Sequence, residues 1–297
     1  MLTVGIGDVG GAGAGAGEET LGGGNMAGAV RVGDSVRRHA GAWTPTIQRL
    51  LGHLSDQGLT WIPRPLGQDE RGRDSLTYLP GLVPQYPLPE WIWHDDVLTT
   101  AARLVAQLHE ASTGFDTHGA VWQLPAHEPA EVICHNDFAP YNMVFTDERL
   151  TGVIDWDTAS PGPRVWDLAY LAYRLVPLTD PANADGLNNS PAERARRLRL
   201  LCAAYGPAVN PADVAAAAVP RLEELAAFTA ARADDGHEHL RSHVELYRRD
   251  ARWIAAHTDQ LSGTAWPSGR LTSRPARGAG TIPHSAAADP DETRTFP

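Results

Sequence analysis

The chain has no lysine; all 25 of its basic residues are arginines. The glycine-rich stretch Gly10 to Gly17 therefore lacks the Lys-Ser/Thr ending of a phosphate-binding loop, and no strong strand precedes it. Cysteine is almost absent: Cys134 and Cys202 are the only two. That excludes a disulfide framework and fits a reducing compartment. Cys134 reads as a small buried apolar residue rather than a nucleophile. No run of about 18 apolar residues occurs, so no transmembrane helix is expected. The N-terminus lacks a basic start followed by an apolar segment, so no signal peptide is expected and the predicted location is cytoplasmic. An excess of positive charge is also missing. The net charge is -11 and the pI about 5.5, which argues against a nucleic-acid partner and gives a weak pull on cationic partners.

What is present gathers around one stretch, Val132 to Phe145, completed by Leu150 to Asp157. Short apolar runs flank a polar segment, His135-Asn136-Asp137-Phe138-Ala139-Pro140-Tyr141-Asn142. The pattern predicts strand, loop, strand, turn, strand, with polar side chains gathered at one edge. Asp137 and Asn142 are five residues apart, and Asp155 follows Asp137 by 18 at the end of a Val-Ile run. Phosphoryl transfer needs such a set: a carboxylate for the attacking hydroxyl, and hard oxygen ligands for Mg²⁺ on the phosphates. An Asp-x-x-x-x-Asn loop matches the kinase catalytic-loop pattern. His135 reads as a brace and Trp156 as packing. Asp157 reads as a hydrogen-bonded group behind the metal shell, with direct metal contact as the alternative.

His135-Asn136-Asp137 with Asn142, followed by Ile154-Asp155-Trp156-Asp157, resembles the aminoglycoside phosphotransferase/choline kinase-like family. Asn136 stands where glycine is common there; asparagine tolerates unusual backbone angles better than most residues. The resemblance implies an α+β, two-lobed protein-kinase-like fold, with a small β-rich N-lobe and a larger, mostly helical C-lobe. It also implies a small-molecule kinase that transfers the γ-phosphoryl of Mg·ATP or Mg·GTP to a hydroxyl of a small acceptor, aminoglycoside-like antibiotics being one such class. Asp137 becomes the catalytic base, Asn142 and Asp155 the Mg²⁺ ligands, and Asp167 a brace for the catalytic loop. Gly22, Gly23, Gly24 and Asn25 become the turn over the nucleotide, and Thr77, Tyr78 and Leu79 the hinge that meets the base. The lysine expected on the third strand is missing; Arg37, in Arg37-Arg38, is the candidate substitute. The helix acid that would pair with it is missing too, Gln48 being the nearest polar group. Oligomeric state is not encoded legibly.

Along the chain, residues 1–17 are low-complexity and predicted disordered. Residues 18–80 form the nucleotide-binding N-lobe, 81–262 the C-lobe with catalytic loop and helical substrate subdomain, and 263–297 a disordered tail. With 297 residues, 42% of them hydrophobic, the chain can bury a large core. Ala29 to Val32 and Ser35 to Arg38 around Gly33-Asp34 predict a hairpin. Thr44 to Leu54 predicts a helix capped by Thr44 or Thr46 with Pro45 in its first turn. Trp61 to Gly67 and Asp74 to Leu79 predict two strands. Helices follow at 95–111, 166–175, 191–205, 213–232 with an interruption near Pro220, and 238–257. The cluster from Asp234 to His239 reads as a solvated loop. Two other functions fit parts of the pattern: a non-catalytic nucleotide sensor of the same fold, and a metal-dependent phosphoesterase using His135, Asp137, Asp155 and Asp157.

Overall fold

Short alternating runs in the first third of the chain pair into an antiparallel sheet, because each is too short to bury its apolar side alone. In the computed structural model, which describes residues 17–21, 29–183, 187, 190–234, 236 and 238–263, this sheet has the strand order β1-β2-β3-β5-β4. Its strands are β1 (Glu19–Thr20), β2 (Val30–Val32), β3 (Ser35–Arg38), β4 (Pro65–Gln68) and β5 (Asp74–Thr77). Gly33 has φ +60° in the two-residue turn that pairs Val32 with Ser35, a conformation that glycine adopts without penalty. The expected strand at 61–67 begins only at Pro65; Trp61 instead accepts the Val153 N–H through its carbonyl at 3.0 Å. Between β3 and β4 runs α1 (Thr44–Asp56), which buries Ile47, Leu50, Leu51 and Leu54. Each such buried leucine contributes about 1.5–3 kcal/mol. Pro45 lies in its first turn as expected, but neither threonine caps it. The residue before the helix is Trp43, and the Thr44 hydroxyl accepts from the Gly41 N–H at 2.9 Å.

The rest is mostly helical: α2 (Asp95–Ser112), α3 (Arg164–Leu175), α4 (Pro191–Tyr205), α5 (Pro211–Asp234) and α6 (Arg241–Ser262). The helix α5 packs on α3 and α6, and α2 on α4. The interruption expected near Pro220 is absent: α5 runs through it. Packing on two neighbouring helices outweighs the one backbone hydrogen bond that proline removes. Among the described residues no helix is long and apolar enough to cross a membrane. The chain divides into two units, residues 1–265 and 266–297; the second lies outside the described residues, as do residues 1–16.

Four strands carry the polar edge: β6 (Val132–Cys134), β7 (Met143–Thr146), β8 (Arg149–Val153) and β9 (Ser160–Gly162). The β7–β8 hairpin turns on Asp147 and Glu148, both with positive φ, as a twist-matched two-residue turn requires. The strand β9 escaped the sequence reading because Pro161-Gly162-Pro163 reads as a breaker. It pairs with β6, Ile133 opposite Pro161, and on its other side the Pro161 carbonyl accepts the His127 N–H at 2.9 Å; at this sheet edge the missing proline N–H costs no ladder bond.

Candidate active site

The loop after β6 is held from beneath by Asp167, in the first turn of α3. One carboxylate oxygen accepts the His135 N–H at 2.8 Å and the other the Asn136 N–H at 2.9 Å. His109 on α2 adds a contact at 3.3 Å, and Tyr205 on α4 lies 2.8 Å from its other ring nitrogen. Burial works to raise the Asp167 pKa. The His109 contact and the backbone donors outweigh it and hold the carboxyl below its ordinary range. Cys134 completes a buried trio with His109 and Asp167, but donors already occupy the Asp167 oxygens, so the trio serves as a brace. The expected bracing role of Asp167 thus has its geometry.

His135 is a brace as well. Its Nδ1 accepts the Asp137 N–H at 3.2 Å, and its Nε2 donates to the Ile154 carbonyl at 3.2 Å. Burial depresses its pKa and keeps the ring neutral. With both nitrogens engaged it is no metal ligand, which removes the histidine from the phosphoesterase site. Asn136 has φ +64°, the conformation for which glycine is common at this position. Its side chain donates to the Thr158 carbonyl at 2.9 Å and the Ser160 hydroxyl at 2.8 Å, contacts that glycine lacks. Arg221 on α5, which the sequence reading missed, donates to the Asn136 carbonyl at 2.6 Å.

These braces present Asp137. One of its oxygens accepts from the Tyr141 hydroxyl at 2.5 Å and the other from the Asn142 amide at 2.8 Å. Asn142 also donates to the Asp137 carbonyl at 2.9 Å, so its Oδ1 is the end turned away from Asp137. The Ile154 N–H donates to the Asn142 carbonyl at 2.9 Å, which ties the two motifs together. Asp155 follows with φ +61°. Burial first, then the charges of Asp137 and Asp157, push its carboxyl up to about 7, while Arg38 works the other way. An amide oxygen and a carboxylate with an excess of negative charge beside them are hard donors that suit a divalent cation such as Mg²⁺. Asn142 and Asp155 therefore fit that ion as donors. Asp157 is buried and takes a hydrogen bond from Arg38 at 2.6 Å, the arrangement expected of a group behind the metal shell.

The arginine beside the carboxylates is Arg38. It bonds Asp74 at 2.8 Å and Asp157 at 2.6 Å, and lies 3.6 Å from Asp155. Burial opposes its charge, but Asp157, Asp74 and Asp155 together hold its pKa above the ordinary value. Arg37 is corrected: adjacent residues of a strand point to opposite faces, and Arg37 faces Asp69 at 3.8 Å. The acid missing from α1 is supplied by β5, where Asp74 is the cross-strand partner of Arg38. Gln48 on α1 donates to Asp74 and, at 3.2 Å, to the Ser75 carbonyl. At the expected hinge, the Thr77 N–H donates to the Arg64 carbonyl and the Tyr78 N–H to the Asp34 carbonyl, so two of its amides are engaged within the lobe. Leu79 lies over Gly152, where a Cβ would come within 2.8 Å of its methyl carbon. Gly22, Gly23, Gly24 and Asn25 lie outside the described residues.

A sequence model of the phosphotransferase enzyme family matches residues 115–201. The trifolitoxin immunity protein of Rhizobium leguminosarum bv. trifolii is 30% identical over 197 residues, 64% of this chain and 74% of that protein. A choline/ethanolamine kinase family protein from Mesorhizobium loti shares the fold at a TM-score of 0.52 and 17% identity, over 85% of this chain and 94% of that one. The gentamicin complex of APH(2")-IIa does so at 0.52 and 16%, over 82% and 90%. Motifs, two-lobed fold and the rhizobial relative converge: the chain belongs to the phosphotransferase enzyme family, the aminoglycoside phosphotransferase/choline kinase-like family that its loop resembles.

Proposed function

We propose that the protein is a small-molecule kinase that uses Mg·ATP or Mg·GTP to phosphorylate a hydroxyl of its acceptor, in the cytoplasm. The observation that carries this reading is the convergence of Asp137, Asn142 and Asp155, with Arg38 facing Asp155 and Asp157. Asp137 orients the acceptor hydroxyl and takes its proton as the oxygen bonds to the γ-phosphorus and the nucleoside diphosphate leaves. Asn142 and Asp155 hold Mg²⁺, which neutralises charge on the phosphates when bound. Arg38 occupies the place sought for the third-strand cation. The sheet of residues 18–80 serves the nucleotide, with Leu79 and Ile154, both half-buried, beside the base. The helical part of residues 81–262 forms the acceptor side. The rhizobial relative is named for immunity to a toxin, which supports an antibiotic-like acceptor; aminoglycosides belong in the first panel on the same ground. Phosphate transfer from Mg·ATP and Mg·GTP to aminoglycosides, macrolides and amino alcohols tests the reading. Asp137→Asn is expected to lower transfer about 10²–10⁴-fold with nucleotide affinity retained. Unchanged turnover in that variant would overturn the mechanism.

A further inference from the structure

Beside Asp137, on the helical side, lies a guanidinium in an unusual setting. Arg174, in the last turn of α3, is flanked by the rings of Tyr86, Tyr141 and Tyr173 at 5.2, 5.4 and 5.5 Å. It donates a hydrogen bond to the Tyr86 hydroxyl, while its Nε is buried without a partner. Among the described residues no carboxylate lies within ion-pair distance of it; Arg194 and Arg221, which also lie over aromatic rings, likewise lack one, but each donates to a backbone carbonyl, of Thr179 and of Asn136. Tyr141 links this group to the reaction centre: its hydroxyl donates to Asp137 and lies 2.7 Å from that of Tyr170. Asp137, Tyr141 and Arg174 are each half-buried, and Tyr86 is exposed, so the group is open to a ligand.

A guanidinium among aromatic faces keeps its charge and still presents planar donors to an anion. It also repels a second cation in the same box. Resting on the kinase reading above, we propose that Arg174 and its tyrosines are the acceptor subsite. This subsite takes a hydroxyl compound that carries a carboxylate or phosphate about one phenyl ring away from the reacting oxygen. That span is set by Tyr141, whose hydroxyl reaches Asp137 while Arg174 lies against its ring. Polycationic acceptors are disfavoured, whatever the acidic net charge suggests, so the aminoglycosides of the panel above are expected to be its poorest acceptors.

Three probes of one scaffold test this: 4-hydroxyphenylacetate (anionic), tyrosol (neutral) and tyramine (cationic). Each is titrated calorimetrically into the full chain with and without Mg·ATP analogue. The anion is expected to bind roughly tenfold or more tightly than tyramine, tyrosol falling between, as one like-signed charge against one opposite charge implies. In Arg174→Gln the three converge to within about twofold, while Arg174→Lys keeps the order because the charge remains. Tyramine binding as tightly as the anion, an order that survives Arg174→Gln, or no binding by any probe would each overturn the subsite. Circular dichroism and thermal melting check the variants; should Arg174→Gln fail to fold, the wild-type order and Arg174→Lys decide. The binding order reads out the subsite, and phosphate transfer, measured separately, reads out the kinase. The charge order without transfer to any acceptor would overturn the kinase reading alone, whereas transfer with the order reversed would overturn the subsite alone.

Discussion

Asp167, fully buried, and Asp155, half-buried, face the same loop from opposite ends, and their carboxyls are driven in opposite directions. Asp167 receives two backbone donors and a histidine and is held below its ordinary pKa. At Asp155 burial has no such donors against it, the charges of Asp137 and Asp157 add to it, and the carboxyl is pushed up to about 7. Burial alone does not decide the charge of a group; the donors and charges around it do. The difference separates a floor that is complete in itself from a mouth built to receive something positive. The linkage signs differ accordingly. Asp167, depressed on folding, contributes stability above the unfolded carboxylate range that is lost as pH falls through it. Asp155, raised on folding, contributes stability below that range that is lost as pH rises toward 7.

Mutations can break this contrast. The largest effect is expected from Asp167→Ala, which leaves the His109 Nε2 and two buried amides unpaired; urea unfolding should show a loss of about 3–5 kcal/mol. Arg38→Ala removes the cation that, among the described residues, faces both Asp155 and Asp157, so about 1–3 kcal/mol should be lost, together with nucleotide affinity measured by titration. Asn136→Gly trades two side-chain hydrogen bonds for an easier backbone, and a net loss near 1 kcal/mol is expected from unfolding. Asp155→Asn should act in the opposite sense on stability. Relief of like-charge crowding should raise the metal-free unfolding free energy slightly, by less than about 1 kcal/mol, while phosphoryl transfer is lost. Arg37→Ala should be smallest, within about 0.5 kcal/mol; an effect equal to that of Arg38→Ala would restore Arg37 to the site.

How much of this was readable in the chain follows from how each contact is made. Asp137, Asn142 and Asp155 are set by a loop and a hairpin, so their spacing along the sequence carries their spacing in space. The same holds for the hairpin at Gly33 and for the helical stripes of α1, α2 and α3. Arg38 with Asp74 depends on strand register, and one residue of slip exchanges Arg37 for Arg38. Arg221, Tyr170 and Arg174 reach the loop from helices whose packing no local pattern specifies. Thr44 failed as a cap because its hydroxyl turned back to Gly41. The strand β9 and the unbroken α5 both contain proline in places where the missing N–H is tolerated.

Ile154 offers a last consequence. Its carbonyl takes the His135 ring and its N–H holds the Asn142 backbone, so the segments bearing Asn142 and Asp155 are stitched through a single residue. A chelate assembled this way surrenders little chain entropy when an ion enters it. On the proposed kinase reading its bite would be fixed before binding, and ion size, rather than loop rearrangement, would be the quantity that the pair discriminates.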